Sequence, residues 1–177
     1  MALQGTITRL IKAHNEGDLE TQRSILRGFV KHEQASYERK VQLLGESKTM
    51  KQEMRTVKGP RKRLAHLVAL YKFAADVRAI GKDEIDDRET YLTANRMLQQ
   101  IYPEFTAFGP EGAAAFESPL DDTSPNARAC AGFNLIATLP EKAIPVLEEI
   151  KRSPGLTCAW LDADFALAKY RIGRRTV

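Results

Sequence analysis

Apolar residues return at steps of three and four along almost the whole chain, and no segment keeps up a two-residue alternation. That pattern predicts helices throughout and strands nowhere. Leu3, Ile7, Leu10, Ile11 and His14 make the stripe of a short amphipathic helix, which Gly17 stops. Asp18 then caps a second helix, in which Leu26, Val30, Tyr37, Val41 and Leu44 recur at near-heptad spacing. This segment is expected to pack against another helix along its length, as one arm of a hairpin. Past Glu46 the stripe thins to Met50, Met54 and Val57, and Gly59-Pro60 breaks the chain. A buried helix follows, with Leu64, Leu67, Val68, Tyr71, Ala74, Ala75 and Val77 on its wide apolar face and an end near Gly81.

Asp83, Glu84, Asp86 and Asp87 load the start of the next helix with charge that suits its dipole. Ile85, Leu92, Asn95, Leu98 and Ile101 carry it to Pro103, and the glycine- and proline-containing stretch from Phe105 to Pro119 reads as a loop with one helical turn. Ser124-Pro125 is an N-cap followed by proline in the first turn, leading into Arg128, Ala129, Ala131, Leu135 and Leu139. Pro140 opens a second helix with Ala143, Ile144, Val146, Leu147 and Ile150 inward, broken by Pro154-Gly155. Trp160, Ala163, Ala166, Leu167 and Tyr170 form a third, closed by Gly173. The expected fold is all-α, an N-terminal helical hairpin over residues 1–63 followed by antiparallel helix pairs over 64–177.

The residues Asp121 to Gly173 sharpen that expectation. The Asp121-Asp122 turn, Arg128 early in one helix, small Ala129 and Ala131 where helices nest, and the run Ala143-Ile144-Pro145-Val146-Leu147-Glu148-Glu149-Ile150 together resemble a HEAT-type helical repeat. With Asn95, Leu98 and Gly109-Pro110-Glu111-Gly112, the stretch from Leu70 to Gly173 is similar to a small bacterial HEAT-like family of unknown function. Where that family carries a bulky or basic residue after Glu-Gly, this chain has Ala113-Ala114-Ala115. The resemblance implies stacked helix pairs, a non-enzymatic role in binding another protein and, because HEAT-like proteins recur as immunity proteins beside bacterial toxins, a toxin as partner. It says nothing about the first sixty or so residues.

Charge divides the chain. Met1 to Ala75 carries 15 Lys and Arg against 7 Asp and Glu, whereas Asp76 to Val177 carries 12 against 16. The basic excess peaks between Lys48 and Arg63, with seven cations and one acid, Glu53. Lys48, Lys51, Arg55, Lys58 and Lys62, at steps of three or four, are expected on one helix face, where they would grip nucleic acid or an acidic protein. No aromatic interleaves them for base stacking. In the acidic part, Asp121, Asp122, Asp162 and Asp164, with Arg128, are the candidate contacts for a protein partner.

Catalytic chemistry finds no purchase in the sequence. Neither aspartate pair has a nucleophile or base near it, and Asp162 and Asp164 are two positions apart, which places them on different faces of a helix. Trp160 beside Asp162 invites comparison with the HEAT-like glycosylases that hold a damaged nucleotide, but its spacing to Ala163 and Leu167 is that of an inward stripe. Cys130 and Cys158 sit in apolar pattern as small hydrophobes, and with His14, His32 and His66 scattered, no metal-ligand spacing occurs. Gly109-Pro110-Glu111-Gly112 lacks the lysine of a phosphate loop. No run approaches a membrane span and the first residues lack a secretory core, so a cytoplasmic protein without cofactor or metal is expected. The long near-heptad helix adds self-association, as a homodimer, to the expected interactions.

Overall fold

The computed structural model describes residues 9, 12, 13, 15–84, 87–153, 155 and 157–175, with the backbone alone at 29, 30, 32, 33, 84, 174 and 175. The described residues are helical with no strand among them, so the protein is all-α. The stripe expected from Leu3 to His14 lies outside the described residues, as do Ile85 and Pro154. The chain divides into two compact units, Met1–Gln42 and Leu43–Val177.

In the first unit Gly17 takes φ 69°, a left-handed turn that suits glycine, and the chain re-enters a helix at α1 (Leu19–Thr56). Asp18 is its cap: the Thr21 amide donates to Oδ1 at 3.0 Å, and bonds from Thr21 hold the carboxyl below its ordinary value. The near-heptad stripe is not covered as expected. Leu19, Leu26, Tyr37 and Val41 are 62, 50, 67 and 52% exposed. The residue that α1 buries most deeply, Leu43, lies two positions beyond Val41, about 200° further round the helix.

Among the described residues, the second unit holds the end of α1 and six more α-helices: α2 (Pro60–Ala79), α3 (Arg88–Thr106), α4 (Gly109–Glu117), α5 (Pro125–Leu135), α6 (Pro140–Arg152) and α7 (Cys158–Arg175). Met50 and Met54 of α1 pack on the common core, and His66 of α2 bonds through Nε2 to the Met50 carbonyl at 2.9 Å. A π-turn, Ile80–Glu84, joins α2 to α3, and Asp87 caps α3 by accepting from the Thr90 amide at 2.7 Å. The stripe that α3 buries is Ala94, Met97, Leu98, Ile101 and Phe105; Leu92, expected inside, is exposed.

Two segments with proline depart from expectation. Pro103 does not end α3: the bond that its missing N–H gives up lies at exposed Gln99, on the outer side of the helix. The stretch expected as a loop is largely α4, continued by a 3-10 turn at Ser118–Asp121. Pro110 in its first turn and the alanine run favour helix more strongly than the flanking glycine opposes it. Phe116 from this helix completes an edge-on cluster with Tyr71, Tyr102 and Phe105, at centroid separations of 5.0, 4.8 and 5.0 Å.

The last three helices have readable directions. Arg128 and Gly132 of α5 meet Glu149 and Leu147 of α6, so these two run antiparallel. Lys151 and Glu148 of α6 meet Asp164 and Arg171 of α7, again antiparallel. Cys130 and Phe133 of α5 meet Asp162 and Phe165 of α7, which therefore lies parallel to α5. Small residues allow this: Ala127, Ala129, Ala131 and Ala163 are buried, and a methyl group on Gly132 would stand 2.8 Å from Leu147 Cδ2. Expected starts at Ser124 and Pro140 hold, while α7 runs past Gly173 to Arg175.

Gly112 seats α4 against α3, since a Cβ there would fall on the Phe105 carbonyl oxygen. Gly112→Ala is expected to cost roughly 2–4 kcal/mol, on the scale of severe overpacking. Urea denaturation followed by circular dichroism measures it, and an unchanged midpoint would show that α4 is not held this closely.

Candidate functional site

Two places concentrate chemistry: a polar junction inside the second unit, and a basic elbow between α1 and α2.

The junction begins with an arginine in an apolar face. Tyr71, Ala75 and Arg78 share one side of α2, and Arg78 is only 8% exposed. Its Nη2 donates to the Asp162 carboxylate of α7 and to Cys130 Sγ of α5, the latter at 3.3 Å, so one guanidinium joins three helices. Its Nε is buried without a hydrogen-bond partner. Asn134 Nδ2 donates to the Tyr71 hydroxyl at 3.1 Å and to the Cys130 carbonyl at 2.8 Å. Two further carboxylates from the same side of the fold hold helix starts. Asp76 accepts from the Ser124 hydroxyl and from Asn126 Nδ2 at the beginning of α5, and Asp83 accepts from the Cys158 amide at 2.7 Å at the beginning of α7.

This arrangement binds helices to one another. Burial pushes the Cys130 thiol up to about 11, more than Arg78 lowers it, and burial raises Cys158 as well. A neutral buried thiol is a poor nucleophile. Asp162, the nearest carboxylate, is occupied by Arg78. Among the described residues no group of three or more His, Cys, Asp or Glu side chains is placed to hold a metal ion.

The acidic candidates are spread over separate intramolecular partners. Asp122 pairs with Lys72 and accepts from the Ser124 amide at 2.8 Å; burial raises its carboxyl, but these contacts outweigh it and hold the group below its ordinary value. Asp162 pairs with Arg78, and Asp164 with Lys151 at 2.5 Å. Arg128 grips Glu149 through both terminal nitrogens, at 3.0 and 2.7 Å, and its Nε donates to the Leu120 carbonyl. Asp121 is exposed. Trp160 is half-buried, with Nε1 donating to the Lys151 carbonyl at 3.1 Å and the Lys151 ammonium 5.5 Å above its ring.

The basic candidates differ from these. Lys48, Lys51, Arg55, Lys58 and Lys62 are all exposed, as is Arg61, and none is ion-paired among the described residues. They do not form the single helix face expected. α1 ends at Thr56 and Gly59 takes φ 91°, so Lys58 lies in the connection and Lys62 in the first turn of α2. Lys48, Lys51 and Arg55 alone keep the helical spacing. Arg63 leaves the group by pairing with Glu104 at 3.0 Å beside Phe108.

Sequence reasoning did not single out Arg78 or Asp76, and it assigned Asp83 to the start of α3, whereas Asp83 lies in the π-turn and its carboxylate holds the start of α7. The one available signal was a lone arginine seven residues past Tyr71 within an apolar stripe, a position where an unpaired charge is too costly to persist. No protein-family model, curated protein or solved structure matches the chain.

Arg78→Met is expected to cost about 3 kcal/mol, because it leaves the largely buried Asp162 carboxylate unpaired, and Arg78→Met with Asp162→Leu should recover most of the loss. Equal destabilisation of the single and double variants in denaturant titrations would contradict the coupling. A second expectation concerns pH. Because the folded state raises the Cys130 thiol above its value of 9.0, its contribution is complete below that value and is lost as pH rises towards 11. Unfolding titrations from pH 8 to 11 should therefore show a larger loss in the parent than in Cys130→Ala, which keeps the part due to Cys158, and identical alkaline limbs would exclude this assignment.

Proposed function

We propose that the protein is a non-enzymatic helical scaffold that binds another protein, and that it does so with the basic elbow. The observation that supports this reading is the contrast in how charge is used. Asp122, Arg128, Asp162 and Asp164 are engaged within the fold, whereas Lys48, Lys51, Arg55, Lys58, Arg61 and Lys62 are exposed and, among the described residues, have no ionic partner. Such a cluster suits an acidic protein surface, where complementary charge accelerates encounter and selects the partner. The antiparallel α5–α6 pair with α7 lying parallel to α5 supports a HEAT-like arrangement, α7 being the first helix of a further repeat. The N-terminal helices act in this reading as a basic arm carried by the helical stack. The particular role we favour is that of a cytoplasmic immunity protein that covers an acidic face of a bacterial toxin, using neither cofactor nor metal. Absence of any helix long and apolar enough to cross a membrane, among the described residues, agrees with it.

Nucleic acid is the second reading, favoured by the density of the same cations around one chain break. Both readings are tested by one set of titrations with the full chain and a charge-reversed variant, Lys48→Glu with Lys51→Glu and Arg55→Glu. If a neighbouring-gene toxin is the partner, the parent forms a stoichiometric complex and protects cells, and reversal weakens the complex at least about tenfold at low salt. Binding to duplex or single-stranded DNA with a steep salt dependence, abolished by the reversal, would replace the protein reading with the nucleic-acid one. Binding of either partner unaffected by the reversal would remove the elbow from the function.

A further inference from the structure

The side of α7 turned away from the core carries an apolar row. Leu161, Phe165, Ala168 and Ile172 are all exposed, Phe165 and Ile172 by 61 and 65%. At about 100° per residue the four fall within roughly 60° of one another, opposite buried Ala163 and Leu167, and run for about 16 Å along the helix. A lone exposed apolar side chain is ordinary, whereas a continuous row marks a surface that gains by being covered. Phe165 is also held in place. Its ring lies flat against that of Phe133 of α5, with centroids 6.1 Å apart and planes 10° apart. An aromatic side chain fixed by a neighbour gives up little freedom on binding, so it is a preformed anchor for a partner.

Charge along the edges of the row selects what covers it. On the side of α5, Lys169 is exposed and has no ionic partner among the described residues, and Asp162 is taken by Arg78. On the side of α6, Arg171 pairs with Glu148 at 3.5 Å and Lys151 with Asp164 at 2.5 Å. Exposed Arg152 follows Glu148 by one turn of α6 and has no ionic partner among the described residues. Lys151, Arg152, Lys169 and Arg171 thus outnumber Glu148 and Asp164. A second copy laid on this face would set like charge against like. An anionic lipid surface would meet Glu148 and Asp164, which stand 47 and 46% exposed. An acidic helix meets neither obstacle, and its direction follows from the dipoles. Lys169 and Arg171 lie towards the C-terminal, negative end of α7; a helix running antiparallel brings its first turn there, where its own dipole favours the acidic residues that those cations attract. Antiparallel is also the sense in which α6 packs on both α5 and α7.

We propose that the exposed face of α7 from Leu161 to Ile172 is a docking surface for an amphipathic helix of another protein, acidic in its first turn and lying antiparallel to α7, with Phe165 as the central anchor. This inference is independent of the binding role given to the basic elbow, since none of the elbow's cations is among the charges at the edges of the row.

Fluorescence anisotropy of labelled synthetic helices, titrated with the full chain, tests this. One probe carries leucines at the spacing of the α7 row and Asp and Glu in its first turn; a second has the same composition with the acids in its last turn. The first should bind, and the second at least about tenfold more weakly. Phe165→Glu and Ile172→Glu, at residues already in water, should keep the helical circular dichroism of the parent and weaken the first probe about 100-fold. Lys169→Glu should weaken it too and strengthen a probe with lysines in the first turn, which a purely structural effect of the change would not do. Lys48→Glu with Lys51→Glu and Arg55→Glu should leave the first probe's affinity unchanged. No binding at roughly millimolar concentration, equal affinity for the first two probes, indifference to Phe165→Glu, or loss on reversal of the elbow would overturn the proposal. A Phe165-dependent dimer in sedimentation equilibrium, or Phe165-dependent co-sedimentation with phosphatidylserine vesicles, would replace the helix with a second copy or a membrane.

Discussion

The second unit turns on a charge placed where charge is expensive. Arg78 lies in an apolar face of α2, at 8% exposure, and its cost is offset only because α5 and α7 bring Cys130 and Asp162 to the same guanidinium. Three helices remote in sequence thereby acquire a single acceptable arrangement. Apolar contacts alone would tolerate a slide of α7 along α5, because alanines at 129, 131, 163 and 166 offer similar grooves at neighbouring registers. A buried ion pair with a hydrogen-bonded thiol does not tolerate it. Asp76 and Asp83 add direction by holding the starts of α5 and α7, so the polar contacts specify what the small residues only permit.

This division of labour bears on function. Residue types that in another setting would perform catalysis, a thiol, an aspartate, an arginine and a tyrosine, here meet one another inside the fold and are consumed by its geometry. What faces water is of a different kind. The elbow between α1 and α2 displays cations that have no counter-ion among the described residues, and α1 displays exposed Leu19, Leu26, Tyr37 and Val41. Surfaces of both kinds gain free energy by meeting another molecule, the first through charge and the second through removal of apolar area from water.

Much of this fold was legible in the order of residues, and the reasons are local. Asp18, Ser124 and Pro140 start helices because a cap or a first-turn proline acts within three or four residues, and Gly17 and Gly59 break the chain because they take positive φ. The failures have a common cause in competition between signals. Pro103 and the glycine-proline stretch after Phe108 look like punctuation, yet α3 continues because the bond lost at Pro103 lies on its exposed side, and α4 forms because Pro110 falls in its first turn and the alanine run favours helix.

The sequence by itself determined that the chain would be helical and where most helices begin, because periodicity and capping are properties of neighbouring residues. It also determined how strongly charge would gather between Lys48 and Arg63. Only the tertiary structure decided which of two apolar rows on α1 would be buried, and that Asp122 and Asp162 would be neutralised from within. Those pairings depend on partners tens of residues away, Arg78 and Asp162 being 84 apart, and pairing across such distances is fixed by packing and by the cost of burying an unmatched charge.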